Sequence, residues 1–307
     1  MVRFLQIEPT TRCNFTCGFC CGRSMPQEDL AWDTFVAAVD ALPDLAHVEL
    51  QGEGESLLHP RFHDMVALLR ARGVQVSFIT NGSLLTERHL DPLLTAGVEK
   101  ISVSIESPDP EAFRRIRGGK LEKVLTNLER LVALKQERGL DRPVIGLSVT
   151  VLRSTRASLP DLYALYRRLG LDGGITLQPL QTMDAYARHY GDDIAAEELD
   201  AATADGIFAR FFSDAELRRI QADRSPVRGF YEQLMAEWKP GQHRCPYLEQ
   251  GLYVNRNGEA TACCMIKDHE RHGLGSILTT PLPTLLERRE ALRRQLDVLG
   301  LGPGGAG

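Results

Sequence analysis

The sequence predicts an α/β fold: a parallel, partly closed barrel of six β/α units, followed by a small C-terminal β-hairpin and helix piece. Three observations lead to it. Strand-like and helix-like patterns alternate through six units between residues 2 and 179, as in βαβ architectures built on one parallel sheet. The residues that carry chemistry collect in the loops after the strands, where barrels of this kind assemble their sites. A chain of 307 residues, 43% of them apolar, can bury one large α/β core with a small addition.

Taken in order, Val2–Ile7 reads as the first strand, ending at a cysteine-rich loop. A helix from about Trp32 to Leu42 begins in an acidic stretch and stops at Pro43, a residue that cannot continue it. His47–Gln51 is the second strand and runs into Gly52-Glu53-Gly54-Glu55-Ser56, where glycines let backbone groups approach a ligand closely. Then come strand Val74–Thr80 with loop Asn81-Gly82, helix Glu87–Ala96, and strand Lys100–Ile105. Helices Pro110–Ile116 and Leu121–Arg138 lead to strand Val144–Val151, and helix Leu159–Leu169 to strand Gly174–Pro179. Near residue 184 the composition shifts to an acid-rich, largely helical connector ending at Trp238. Such acid runs serve as solvated helix faces or, facing a site, as partners for a polycation. Asn257-Gly258 between two β-prone runs predicts a hairpin. The expected boundaries are 1–183 for the barrel, 184–238 for the connector, 239–295 for the C-terminal piece and 296–307 for a disordered tail.

The loop after the first strand reads Cys13-Asn-Phe-Thr-Cys17-Gly-Phe-Cys20. Three thiols this close can reach one soft metal centre, and thiolates select zinc or iron–sulfur clusters. A structural zinc wants a fourth protein ligand. Cys21 is the neighbour on offer, but adjacent cysteines rarely converge on one ion. A [4Fe–4S] cluster held by three thiolates keeps one iron open to a small chelating molecule. The Cys-x3-Cys-x2-Cys spacing, with aromatic Phe19 before the last cysteine, resembles the signature of the radical SAM superfamily.

The resemblance implies that Cys13, Cys17 and Cys20 hold a [4Fe–4S] cluster whose open iron takes the amino and carboxylate groups of S-adenosylmethionine (SAM). One electron then releases a 5′-deoxyadenosyl radical. It further implies the family's open, partial (β/α)6 TIM barrel, wide enough at the mouth for bulky substrates. Gly52, Gly54 and Glu55 resemble the Gly-Gly-Glu stretch that binds the SAM amino group, with Glu53 replacing one glycine. Ser102-Val-Ser104-Ile-Glu106-Ser107 resembles the family's Ser-Leu-Asp-Gly stretch. Ser104 is thus a candidate SAM contact, and Glu106 either faces cofactor or substrate or forms a polar strand rim. Phe19, Asn81, Ser148, Arg153 and Gln178 complete the candidate cofactor-binding set. Arg117-Gly118-Gly119 resembles an Ile-Arg-Gly turn of relatives, its arginine either solvated or functional.

The segment from Cys245-Pro246 to Cys263-Cys264, with Gly273-Leu-Gly275-Ser-Ile277 after it, resembles the start of a SPASM/twitch extension. Cys245 and Cys263 match its ligand positions for an auxiliary [4Fe–4S] cluster. Relatives complete that site with further cysteines, and this chain has none after Cys264. Asp268, His269 or His272 would then complete a mixed-ligand cluster, or the cluster has been lost. Cys263 and Cys264, read as strand neighbours, point to opposite faces. With Cys263 as ligand, Cys264 becomes a candidate catalytic hydrogen-atom donor, against the plain reading of a buried, inert cysteine.

Composition narrows the remaining classes. The net charge of −5 and pI of about 5.9 are mild, and no basic patch suggests nucleic acid. No apolar run reaches a membrane span, and the N-terminus has no signal-peptide core. Seven cysteines, an odd number clustered at two ends, do not form a secreted disulfide framework. Cluster thiolates need a reducing compartment, hence the cytoplasm. The expected activity is epimerisation of a small secondary metabolite of the sugar, aminocyclitol or aminoglycoside type, with a flavodoxin- or ferredoxin-type electron donor. One reason is that barely a dozen residues precede the cysteine loop, leaving no room there for a domain that grips a peptide leader. Dehydrogenation with an auxiliary cluster, peptide modification, and a non-enzymatic iron–sulfur sensor are the alternatives.

Overall fold

The structure, a computed structural model, describes residues 1–180, 190, 193–200, 202–207, 246–266 and 269–298. The chain forms two compact units and crosses between them after residues 12, 26, 76 and 225, the third time within strand β3 (Gln75–Thr80).

The first unit contains residues 1–12, 27–76 and the described part of 226–307. Strand β1 (Phe4–Ile7) lies between β2 (His47–Leu50) and β7 (Gly251–Val254), both parallel to it. In register, Leu5 and Ile7 align with Val48 and Leu50 on one side and Leu252 and Val254 on the other. These six are buried on one face of the ladder. The alternate positions, Gln6, Glu49 and Tyr253, share the opposite face. Helix α1 (Trp32–Asp40) buries Phe35, Ala38 and Val39. Helix α2 (Phe62–Ala71), to which the sequence analysis assigns no element, buries Phe62, Met65, Val66 and Leu69. That spacing is the apolar stripe of an amphipathic helix.

Beyond β7 the ladder turns antiparallel through β8 (Glu259–Thr261) and β9 (Gly275–Ser276). The predicted Asn257-Gly258 turn joins β7 and β8, with Gly258 at φ +80°, where glycine is favoured. The chain re-enters the described region as helix α7 (Pro246–Gln250). Helix α8 (His269–His272) precedes β9, and α9 (Leu282–Val298) closes the unit. Two guanidinium nitrogens of buried Arg289, on α9, donate to the carbonyls of Gly251 (2.8 Å) and Glu249 (3.0 Å). The helix is thereby fastened to the start of β7. It also runs three residues into the expected tail.

The second unit contains residues 13–26 and the described part of 77–225. Parallel strands β4 (Lys100–Ser104), β5 (Val144–Val151) and β6 (Ile175–Pro179) follow β3 in order. Helices α3 (Glu87–Ala96), α4 (Pro110–Arg117), α5 (Leu121–Glu137) and α6 (Leu159–Arg168) alternate with them. The strands again divide by parity. Ile101, Val103, Ile145, Leu147, Val149 and Ile175 form an apolar, buried face. Ser102, Ser104, Ser148, Thr150, Thr176 and Gln178 line the other. A polar face on a parallel sheet is unusual in a packed core. The expected α/β class, with parallel strands alternating with helices, is borne out. Among the described residues no helix is long and apolar enough to cross a membrane.

Candidate metal and cofactor site

The cysteine loop belongs to the second unit, docked on the C-terminal turn of α4. That helix starts cleanly: Asp109 caps it by accepting from the Ala112 amide at 2.7 Å, and Pro110 occupies its first turn. The last carbonyls of a helix lack intrahelical partners. Here the amides of Thr16 and Gly18 donate to those of Arg117 and Ile116, both at 3.1 Å. Gly118 ends the helix at φ +69°, in the left-handed region. A Cβ there would lie 2.1 Å from Thr16 Oγ1, and one on Gly119 would lie 2.2 Å from Phe15 Cζ. Only two consecutive glycines let the loop sit this close. Phe15 then packs edge-on against Phe113, ring centroids 6.2 Å apart.

Three nitrogens are aimed at the sulfurs. The Phe15 amide lies 3.5 Å from Cys13 Sγ, and Asn81 Nδ2 lies 3.8 Å from the same atom. Arg117 Nη1 is 3.7 Å from Cys17 Sγ. Asn81 is fixed in turn. Its Nδ2 donates to Asn14 Oδ1 at 2.9 Å, and its Oδ1 accepts from the amide and hydroxyl of Ser83 at 2.9 and 2.7 Å. Cys13, Cys17, Cys20 and Cys21 are all free of disulfides. Burial pushes the Cys17 thiol up to about 11, while the Arg117 guanidinium acts in the opposite direction.

Among the described residues no three His, Cys, Asp or Glu side chains converge as ligands of a single ion. A cubane asks for something else, since each thiolate binds a different iron. Three reduced thiols on one short loop, two of them with nitrogen donors directed at sulfur, fit that demand.

Arg117 is buried, and its Nε and Nη2 form a bidentate pair with the two carboxylate oxygens of Glu106. Glu106 has no exposed surface and also accepts from the Thr150 amide at 3.4 Å. Desolvation, the largest single effect, lowers the Arg117 pKa, but the charge and hydrogen bonds of Glu106 together with the nearby Cys17 and Cys20 outweigh it, and the net shift is upward. Glu106 therefore faces an arginine rather than an open cavity. Phe19 packs against Ile116, Leu152 and Leu180, with the Arg117 guanidinium carbon 5.5 Å from its ring centroid.

Of the other expected positions, Ser104 and Ser148 are register partners on β4 and β5. Gln178 pairs with Thr150 one step further along the same polar face. Arg153 is engaged elsewhere: Nε donates to the Ala196 carbonyl at 3.0 Å and Nη2 to that of Glu198 at 2.6 Å. The Glu197 carboxylate accepts from the Ser154 amide at 2.9 Å, and that of Asp200 binds Thr203. Two acids of the connector are thus used locally.

In the first unit, Gly52 and Gly54 are required by close approach. A Cβ would fall 2.2 Å from Glu8 Cγ at Gly52 and 2.3 Å from the Thr10 carbonyl at Gly54. Glu55 is buried; its amide donates to the Arg12 carbonyl at 2.8 Å and its carboxylate accepts from the Leu57 amide at 3.3 Å. Sequence reasoning missed Glu8, which is buried and accepts from the Glu53 amide at 2.8 Å. Its signal was an acid at the end of an apolar strand. Arg12, just before the cysteines, is also newly assigned: it grips Asp29 and the Leu58 carbonyl, the latter at 2.9 Å.

Cys263 and Cys264 follow β8 in a turn, not on a strand, so opposite faces are not dictated. The Met265 amide lies 3.4 Å from Cys263 Sγ. His269 Nε2 lies 3.2 Å from Asn255 Nδ2. Cys245 and Asp268 lie outside the described residues.

The Radical SAM superfamily model matches residues 7–165, more than half of the chain. The Pyrococcus furiosus tungsten-containing aldehyde ferredoxin oxidoreductase cofactor-modifying protein is 32% identical over 178 residues, 56% of this chain. The matched stretch spans half the length of that relative. A probable GTP 3′,8-cyclase of Methanococcus aeolicus is 26% identical over 89% of this chain and 96% of its own. Streptococcus suis SuiB shares the fold. Bound to S-adenosylmethionine it aligns with TM-score 0.68 and 11% identity, over 92% of this chain and 64% of its own. Bound to precursor peptide SuiA the values are 0.70, 12%, 93% and 64%. With its three-cysteine loop seated on the α4 turn beside a polar strand face, the chain belongs to the radical SAM superfamily, whose members work with a [4Fe–4S] cluster and SAM.

Proposed function

We propose that this chain reductively cleaves SAM and directs the resulting radical to abstract a hydrogen atom from an organic substrate. The observation that carries this is the loop holding Cys13, Cys17 and Cys20, docked on the Arg117-Gly118-Gly119 turn with nitrogen donors aimed at two of its sulfurs. The bound cluster supplies the electron that splits SAM into methionine and a 5′-deoxyadenosyl radical. The residues of this chain do the rest. The α4 turn orients the loop, Asn81 fixes Cys13, and Ser104, Ser148 and Gln178 offer hydrogen bonds to the nucleoside from the polar face. Apolar side chains around the site keep the radical from water.

The finer reading is epimerisation of a small polar metabolite of the sugar or aminocyclitol type. After abstraction, the thiol of Cys264 returns a hydrogen atom to the opposite face, because its S–H bond is weaker than most C–H bonds, and one electron from the flavodoxin- or ferredoxin-type donor with a proton from solvent turns the resulting thiyl radical back into the thiol. Its support is the reduced state of Cys264 and its place in a turn beside Cys263. Peptide modification is the second reading, favoured by the likeness in fold to SuiB, a protein solved with its precursor peptide. An auxiliary cluster at Cys245 and Cys263 belongs to either. The reducing cytoplasm suits these thiols, with a flavodoxin- or ferredoxin-type protein as electron source.

Anaerobically reconstituted protein, given dithionite and SAM, is expected to form 5′-deoxyadenosine, and a Cys13→Ala/Cys17→Ala/Cys20→Ala variant to form none. Absence of the product from the cluster-loaded wild type rules out the activity. Turnover in D2O divides the finer readings. Deuterium gained at one inverted carbon, lost in Cys264→Ala, supports epimerisation, while loss of two hydrogens means dehydrogenation. Iron at about eight rather than about four per chain supports the auxiliary cluster.

A further inference from the structure

The Glu106–Arg117 pair is almost fully buried, and it sits against Cys17, a proposed cluster ligand. A buried ion pair returns little net stability compared with apolar side chains of the same volume, so its retention here calls for another reason. The geometry supplies one. The fork of Arg117 spends Nε and Nη2 on Glu106, which leaves Nη1, held rigidly, 3.7 Å from Cys17 Sγ. The positive end of the pair thus points at the sulfur and the negative end away from it, towards the Thr150 amide. In a site this dry such a dipole is weakly screened. It also opposes the negative C-terminal end of α4, whose Arg117 carbonyl lies 3.9 Å from the same sulfur.

We propose that Arg117, oriented by Glu106, positions Cys17 and raises the reduction potential of the cluster that the three cysteines hold. This rests on the radical SAM reading. Hydrogen bonds and positive charge at cluster sulfurs favour the reduced state, so the pair eases the electron entry that precedes SAM cleavage. Neither residue touches the reacting atoms. Both are positioning residues: Glu106 orients Arg117, and its own negative charge, which also reaches Cys17, partly offsets the effect of the guanidinium.

The test is a redox titration of the reconstituted full chain, followed by the electron paramagnetic resonance signal of the reduced cluster. Glu106→Gln keeps a hydrogen-bonding partner for Arg117 but removes the negative charge, so the potential is expected to rise. Arg117→Met combined with Glu106→Leu removes the pair without leaving a buried charge unpaired, and the potential is expected to fall. A purely structural role would not move two variants in opposite directions. Unchanged potentials, or shifts of the same sign, overturn the proposal. Where the double variant takes up no cluster, Glu106→Gln decides: an upward shift supports the proposal and no shift overturns it. A wild type that takes up no cluster defeats the radical SAM reading itself, a result distinct from a wild type that titrates normally beside unshifted variants.

Discussion

Gly119 stands where a methyl group has no room. Its Cβ would meet three atoms of the Phe15 ring, the nearest at 2.2 Å, and that ring is wedged against Phe113. Gly119→Ala is therefore expected to cost about 1–3 kcal/mol, the range for overpacking, and to lower iron uptake by pushing the cysteine loop off α4. Gly139 is the matched control. It has φ +60° but open space around its Cβ, so Gly139→Ala should cost about 1–2 kcal/mol for the backbone alone and leave iron uptake unchanged. Urea unfolding and iron content of the two variants decide this, and equal iron loss in both would count against the docking account. The cysteines were legible because their spacing is local and thiol chemistry is narrow. Arg117 was not, because nothing local distinguishes a buried arginine from a solvated one. Its partner sits eleven residues away, in the loop before α4. Arg153 shows the reverse: its position beyond β5 suggested a cofactor contact, whereas its fork is held by two backbone carbonyls.

At the scale of elements, local signals gave the hairpin and long-range pairing stayed hidden. Asn257-Gly258 marks the β7–β8 turn directly, but nothing in residues 251–254 says that β7 pairs in parallel with β1, at the other end of the chain. Register between distant strands depends on which faces are buried, a property of the assembled ladder. Helix α2 was readable from Phe62, Met65, Val66 and Leu69, yet the glycine loop before it drew the interpretation instead. Helix α9 covers the start of β7 through Arg289 and buries Leu285 completely. Leu285→Ala is expected to cost about 2–5 kcal/mol, as for other buried leucines. Leu278→Ala, on a side chain 50% exposed, should stay within about 0.5 kcal/mol. Equal midpoints in thermal unfolding would mean that α9 contributes nothing to the ladder it covers.

For the whole molecule, the six-unit α/β plan was legible because alternation of periods survives errors at individual boundaries. Its partition was not: the Gly52–Glu55 loop and the cysteine loop, neighbours in the sequence argument, are built into different compact units. A ligand that binds only the folded chain stabilises it by mass action, by about 2.7 kcal/mol when present at a hundred times its dissociation constant. For a chain of 307 residues each kcal/mol raises the unfolding midpoint by roughly 1–2 °C. SAM at that excess is therefore expected to raise the midpoint of the cluster-loaded protein by several degrees. In the Cys13→Ala/Cys17→Ala/Cys20→Ala variant the rise should be largely lost, because under the proposed function SAM is held through a cluster that this variant cannot carry. Anaerobic melts with and without SAM measure both quantities. A rise of the same size in the cysteine-free variant would place the main SAM contacts away from the three-cysteine loop, and with them the origin of the radical.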